Sequence, residues 1–263
     1  TLWSAVGKRA AHGGSLIAKN RDWTPEPDEV RLVRPREGFR FLGLFPLRKG
    51  KRRGAVAGIN EAGLVVVTAS AGSIPRDERK RGGSGLTERL LSGFTTVEAV
   101  LADQKGFRRT HPAIYLLADR FRIAWVEVAP GGRFAICATE NGVLTHTNHY
   151  LDESLTSLNA KVGRSSRRRL VRIGELMEGR TAPLSFADFK AFSQDRRDGP
   201  VDSLWRTGNR PNGERTLASW VVSLSKEAPP EIFIRLANPG EKERTMEMTL
   251  DGAFWKRPDE TIF

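Results

Sequence analysis

Apolar residues along this chain come mostly in short runs broken by glycine, proline and charged stretches, a pattern of strands more than of long helices. Leu2 to Val6 reads as a strand. Gly13–Gly14 marks a turn, and a second strand begins at Ser15 and ends in Lys19–Asn20–Arg21–Asp22–Trp23, so the two predict a hairpin. Pro25 and Pro27 predict a loop after it. Phe39 to Phe45 alternates loosely, and the basic turn Lys49 to Gly54 follows. Ala55 to Ile59 predicts another strand, then the turn Asn60–Glu61–Ala62–Gly63 and a strand over Leu64 to Ala69. The unbroken apolar run Leu64 to Val67 predicts burial on both faces.

Residues 72–85, rich in Gly, Arg and Ser, read as a loop, and Leu86 to Leu91 as helical. Thr95–Thr96–Val97–Glu98 has the spacing of a capping box and predicts a helix through Gln104. Strands are predicted over Ala113–Ala118, Ile123–Val128, Arg133–Ala138 and Val143–Thr147, with Asn141–Gly142 expected as a type I′ hairpin turn. Leu170, Ile173, Leu176 and Met177 recur at helical spacing, and Ser185 to Asp188 caps a helix carrying Phe186, Phe189 and Phe192. Residues 195–215 read as a polar loop. Leu217–Leu224, Ile232–Leu236 and Glu247–Leu250 close the chain as strands. Strands dominate both ends and helices cluster in two sections, which predicts stacked antiparallel sheets covered by helices. The 263 residues are expected to form a single domain.

Charge adds one property. Lys and Arg number 43 against 31 Asp and Glu, a net charge of +12. The cations cluster at Arg48–Arg53, Arg79–Arg81 and Arg167–Arg169. Such a surface attracts anions. The first two runs hold no aromatic residue for base stacking, so a nucleic-acid partner is not expected. No apolar run approaches the roughly 20 residues of a membrane helix. With no apolar signal-like segment in the first residues, the expected location is cytoplasmic, although a removed leader would leave no trace. The lone Cys137 lies mid-strand and is expected to be a buried, inert thiol. His146 and His149 lack a third ligand and a helix, so no metal is expected. Gly82–Gly83–Ser84–Gly85 lacks the spacing and lysine of a phosphate loop.

Thr1 carries candidate chemistry. A threonine with a free α-amine holds a hydroxyl nucleophile and a base in one residue. The ordinary pKa of that amine, about 7.7–8.0, suits a base near neutrality.

Several segments, in order along most of the chain, resemble one family. They are the strand, Gly turn and Ala18–Lys19–Asn20–Arg21–Asp22–Trp23 at the start, then Gly58–Ile59–Asn60–Glu61–Ala62–Gly63–Leu64. Ala118–Asp119 with Val126–Glu127, Thr147–Asn148–His149–Tyr150, Ser165–Ser166 with Arg169–Leu170, and Leu217–Ala218–Ser219–Trp220 follow. Together they resemble N-terminal nucleophile hydrolases, in the branch of choloylglycine hydrolases and acyl-coenzyme A:6-aminopenicillanic acid acyltransferases. The resemblance implies an α+β fold, a four-layer αββα sandwich. It also implies hydrolysis or transfer at a non-peptide amide bond through a covalent acyl-enzyme, with no cofactor.

By the same resemblance Thr1 attacks the carbonyl, Asp22 holds the α-amine, Asn148 donates to the oxyanion and Arg169 completes the site. The run Arg167–Arg168–Arg169 leaves that last register open. Lys19, standing where the family commonly has Arg or another polar residue, joins Trp23, Ser70 and His149 as the expected substrate-binding set. Two departures stand out: the branch ordinarily has Cys where Thr1 stands, and related bile-salt enzymes have Asn where Ser70 stands. A hydroxyl needs more help from its base than a thiolate does. A catalytically silent relative that binds a ligand or partner is therefore the alternative, ahead of a basic nucleic-acid-binding protein. The expected partner is a small N-acyl compound, with an anionic one favoured by the basic surface and neither nucleic acid nor membrane involved. Homo-oligomerisation is left open.

Overall fold

The computed structural model describes all residues from Thr1 to Phe263. Fifteen strands form two antiparallel sheets. The smaller contains β1 (Leu2–Val6), β2 (Ser15–Trp23), β11 (Gly142–His146), β12 (Arg215–Leu224), β13 (Glu231–Leu236) and β14 (Arg244–Thr249), in the order β11-β1-β2-β12-β13-β14. The larger contains β3 (Asp28–Val33), β4 (Phe41–Arg48), β6 (Ala57–Asn60), β7 (Val65–Ser70), β8 (Ala113–Ala118), β9 (Ile123–Val128), β10 (Phe134–Thr139) and β15 (Glu260–Thr261). Its order is β10-β9-β8-β7-β6-β4-β3-β15, with β5 (Lys51–Arg52) paired to β4 as a short hairpin.

Three apolar layers hold the sandwich. Between the sheets, Leu2 and Ile17 of one meet Val65, Val67, Ile114 and Leu116 of the other. Outside the larger sheet, α1 (Leu86–Gly93), α2 (Val97–Ala102) and α3 (Lys105–Arg109) bury Leu90, Leu91, Val100 and Phe107 against Leu64, Val66 and Leu117. Beyond the smaller sheet, α5 (Arg164–Glu178) and α6 (Phe186–Ser193) bury Ile173, Met177, Phe189 and Phe192 against Trp3, Leu16 and Ala18. The short helices α4 (Glu153–Thr156), α7 (Gly199–Asp202) and α8 (Gly252–Trp255) cap loops. The result is the expected αββα arrangement. The Leu64–Val67 run is buried on both faces because odd and even residues feed different layers.

Motif residues of the larger sheet hold structure. A side chain at Gly58 would put its Cβ 2.4 Å from Leu91 Cδ1, so glycine lets α1 lie on the strand. Asn60 Nδ2 donates to the carbonyls of Leu91 and Phe94, both at 2.7 Å, fastening the end of α1. Asp119 accepts from the backbone N–H groups of Phe121 and Arg122 and from Val97 N at the start of α2.

Several expectations are corrected. Asn141–Gly142 is not a hairpin turn, because β10 and β11 lie in different sheets and the chain crosses between them there. Asn141 instead turns its Oδ1 to Lys8 N at 2.9 Å. The loop expected after Pro25 contains β3, which opens on the charged but inward-facing Asp28 right after the two prolines. The helix expected from Thr95 through Gln104 starts one residue later, with Thr96 accepting from Ala99 N, and ends at Ala102, while a separate helix, α3, follows from Lys105. Cys137 is half-buried rather than buried.

Candidate active site

The period of two along β2 divides its last residues between two faces. Ile17 joins the core between the sheets, and Leu16 and Ala18 join the layer under α5 and α6. Asn20 and Asp22 therefore continue the face toward the helices, and Lys19 and Arg21 the face toward the other sheet. β1 runs antiparallel with Leu2 opposite Lys19, which sets Thr1 beside Asn20. The Thr1 amine donates to the Asn20 carbonyl at 3.1 Å, and Asn20 N donates to the Thr1 carbonyl at 2.9 Å. Asn20 is pinned in turn by its Nδ2 donating to Ser193 O and Leu204 O, both at 2.8 Å.

Arg169 reaches this point from the first turns of α5. Of the three consecutive arginines it alone is buried, which settles the register. Its Nη1 donates to Thr1 Oγ1 at 2.8 Å and stands 3.3 Å from Asp22 Oδ2. Its Nη2 donates to Asn148 Oδ1 at 2.9 Å. One guanidinium thus ties together the other three residues expected to be catalytic. Asn148 is aimed by its far end as well, since Nδ2 donates to the Ser70 carbonyl at 3.0 Å. The same nitrogen also reaches the Ser70 hydroxyl at 3.4 Å, a long contact whose hydrogen a ligand can take over.

The segment carrying Asn148 is anchored from below. Glu127, fully buried, accepts from His146 Nε2 at 2.7 Å and from the backbone of Leu151 and Asp152. His149 Nδ1 meets Ser166 Oγ at 2.8 Å, and Asn148 N donates to the same hydroxyl at 3.1 Å. These histidines brace a loop, and no cluster of His, Cys, Asp or Glu suited to a metal ion is present.

The amine of Thr1 is held well below its ordinary value. Burial is the largest cause; Asp22 opposes it, while Arg169, Lys19 and Arg206 add to it. For Asp22 burial pushes upward, but the Thr1 amine, Arg169, Arg206 and the Thr216 hydroxyl outweigh it and hold the carboxyl below the usual range. The arrangement is an amine with weakened hold on its proton beside its own hydroxyl, a carboxylate and an amide donor, a set suited to acyl transfer.

The expected substrate-binding residues separate. Ser70 contacts the site by orienting Asn148. Lys19 points between the sheets and donates to the Thr68 carbonyl, so it reaches Thr1 only through its charge. The Trp23 ring is stacked by Arg48, with 5.6 Å from guanidinium carbon to centroid. His149 is occupied by Ser166 and Thr147. None of these last three side chains hydrogen-bonds Thr1, Asp22, Asn148 or Arg169. Sequence reading missed Arg206 and Thr216. Thr216 Oγ1 donates to Asp22 Oδ1 at 2.7 Å, and Arg206 Nη1 lies 4.0 Å from Asp22 Oδ2. Neither carries a spacing signal, because Thr216 meets Asp22 only across the sheet and Arg206 only from a loop.

Comparison with solved structures finds this fold in amide-cleaving enzymes. Penicillin V acylase from Agrobacterium tumefaciens superposes with a TM-score of 0.61 at 16% identity, over 97% of this chain and 87% of that one. A single-site variant of conjugated bile acid hydrolase from Clostridium perfringens gives 0.60 at 12% identity, over 99% and 96%. The Caenorhabditis elegans ortholog of N-acylethanolamine-hydrolyzing acid amidase gives 0.58 at 13%, over 84% and 92%. No curated protein sequence matches the chain. The family model for acyl-coenzyme A:6-aminopenicillanic acid acyl-transferase matches residues 9–241. With that match spanning most of its length, the chain belongs to the acyl-coenzyme A:6-aminopenicillanic acid acyl-transferase family, among the N-terminal nucleophile enzymes that hydrolyse or transfer acyl groups at C–N bonds.

Proposed function

We propose that this protein cleaves the amide of a small N-acyl compound through an acyl-enzyme on Thr1, passing the acyl group to water or to an acceptor amine. The observation that carries the reading is the Arg169 guanidinium, which binds Thr1 Oγ1 with one nitrogen and Asn148 Oδ1 with the other. Thr1 Oγ1 attacks the carbonyl carbon, forming a C–O bond, and its proton passes to the α-amine. Burial lowers the proton affinity of that amine, which favours the free-base form that accepts it. The carbonyl oxygen becomes an oxyanion that takes a hydrogen of Asn148 Nδ2 from its long contact with the Ser70 hydroxyl, an interaction of the kind that contributes ~3–4 kcal/mol in the transition state. Asp22 balances the ammonium so formed. The C–N bond then breaks and the leaving amine takes the proton back from the ammonium. Water or an acceptor amine attacks the resulting ester, and its proton returns through the same amine to Thr1 Oγ1.

The basic surface supports an anionic substrate. A second reading, a relative that binds without turnover, is favoured by the burial of Thr1, which keeps only 3% of its surface exposed. The test joins intact mass to turnover. The protein, its mature N-terminus first defined by mass, is given 4-nitrophenyl acetate and a panel of N-acyl amino acids. An acetyl adduct mapped to Thr1, with turnover abolished in Thr1→Ala, is expected. Equal turnover in Thr1→Ala, or an adduct on another residue, overturns Thr1 as nucleophile. No adduct and no turnover on any substrate leaves the binding-only reading.

A further inference from the structure

β12 pairs with β2 in one continuous register from Leu224 opposite Ser15 to Ala218 opposite Arg21. One further step would place Leu217 opposite Asp22. The register instead shifts, Leu217 is left out of the pairing, and Thr216 stands opposite Asp22. This is a β-bulge, a device that re-aims a side chain next to it. Ala218 belongs to the core between the sheets, so unbroken alternation would turn Thr216 to that side too. The extra residue turns its hydroxyl onto Asp22, 2.7 Å from Oδ1.

The same shift engages the 195–215 loop. Arg206 N donates to Thr216 Oγ1 at 2.8 Å, and Thr216 N donates to the Arg206 carbonyl at 2.9 Å. A backbone N–H can only donate, so the single hydroxyl hydrogen of Thr216 goes to an acceptor, and the carboxylate at 2.7 Å lies far nearer than the Leu204 carbonyl at 3.4 Å. The Arg206 side chain is 7% exposed; its Nη1 lies between Glu214 Oε2 at 3.0 Å and Asp22 Oδ2 at 4.0 Å, and its Nε has no partner. Asp22 Oδ2 itself has no hydrogen bond and faces only cations. Charged groups face Asp22 from every side: the Thr1 amine from β1, Arg169 from α5 and Arg206 from the loop, with Glu214 beyond Arg206.

We infer that Thr216 and Arg206 are positioning residues for Asp22, brought to it by the extra residue Leu217 in β12, and that they hold its carboxylate aimed at the Thr1 amine. Neither need touch substrate. The inference rests on the acyl-transfer reading above, because Asp22 acts there through that amine.

The test measures the rate of Thr1 acylation by 4-nitrophenyl acetate, followed by intact mass from acid to alkaline pH. Thr216→Val removes the hydroxyl at nearly constant volume, Thr216→Ser restores it, and Arg206→Met removes the charge from a loop outside the sheet. Removing either partner makes Asp22 easier to protonate, so the acid limb of the profile moves to higher pH. Thr216→Val and Arg206→Met are expected to acylate roughly threefold to tenfold more slowly on that limb, with the alkaline plateau retained. Thr216→Ser is expected to follow the wild-type profile. A wild-type acid limb in Arg206→Met and in folded Thr216→Val overturns the inference. Should Thr216→Val not fold, Arg206→Met decides alone. Asp22→Asn separates the two ideas: if it acylates at the wild-type rate, the reading of the site fails. If it is slow while the other variants keep the wild-type limb, only this inference fails.

Discussion

Two buried aspartates sit six positions apart and behave in opposite ways. Asp22 ends the face of β2 toward the helices, and Asp28 begins β3 on the side facing Arg21. Burial pushes both carboxyls upward. Around Asp22 the Thr1 amine, two guanidiniums and a hydroxyl reverse that push. Asp28 has Arg21 at 3.1 Å, but neither of its oxygens has a hydrogen bond, and Glu26 adds repulsion. It is pushed up to about 7. The difference teaches that depth does not set the charge of a buried acid. The number and geometry of donors do, and here they are concentrated where chemistry needs an anion.

The largest effect that would sharpen this contrast is at Asp22. Asp22→Asn keeps the shape and removes the charge, and kcat/KM is expected to fall by about 10²–10⁴-fold. A fall within threefold would break the comparison by making Asp22 as dispensable as Asp28. Asn148→Ala removes the oxyanion donor, and kcat is expected to fall by about 10²–10³-fold with KM little changed. Steady-state kinetics on any substrate the wild type turns over reads both.

The smallest effect is at Asp28 and concerns stability. Its pKa in the folded protein is about 7, above the unfolded value of about 4, so the folded state holds the extra proton between those values. Stability from this group is present in acid and is lost as pH rises toward 7. Asp28→Asn mimics the neutral acid and should flatten that fall. Denaturant midpoints of variant and wild type are expected to agree in acid, with the variant the more stable by about 1 kcal/mol or more on the alkaline side of neutrality. A variant less stable there would show that the Arg21 pairing outweighs burial.

Local pattern made much of the fold legible. The run Leu64–Val67 announced a strand sandwiched between two layers, and Ser185 with Asp188 announced a capped helix that forms as expected. Both signals come from neighbours in sequence. β3 escaped because Pro25 and Pro27 signal a loop and its first inward position is the charged Asp28, which is paired only by Arg21 of another strand, although Glu29 and Arg31 alternate outward around Val30 and Leu32. The Asn141–Gly142 signal misled for a related reason. It describes the turn, whereas the two strands it joins find partners in different sheets.

At the site, the hairpin of the first two strands was readable, but the register that sets Thr1 beside Asn20 came from the structure. The odd spacing of Lys19 and Asp22 along a strand already sets them on opposite faces, but which face meets the helices came only from the structure. Only the tertiary structure chose Arg169 among three arginines, supplied Arg206 and Thr216, and decided that burial outweighs Asp22 at the Thr1 amine. The physical reason is distance. Periodicity and turn chemistry act between near neighbours along the chain. A buried charge answers instead to whatever lies within a few ångströms, and at Asp22 those groups come from strands, a helix and a loop far apart in sequence.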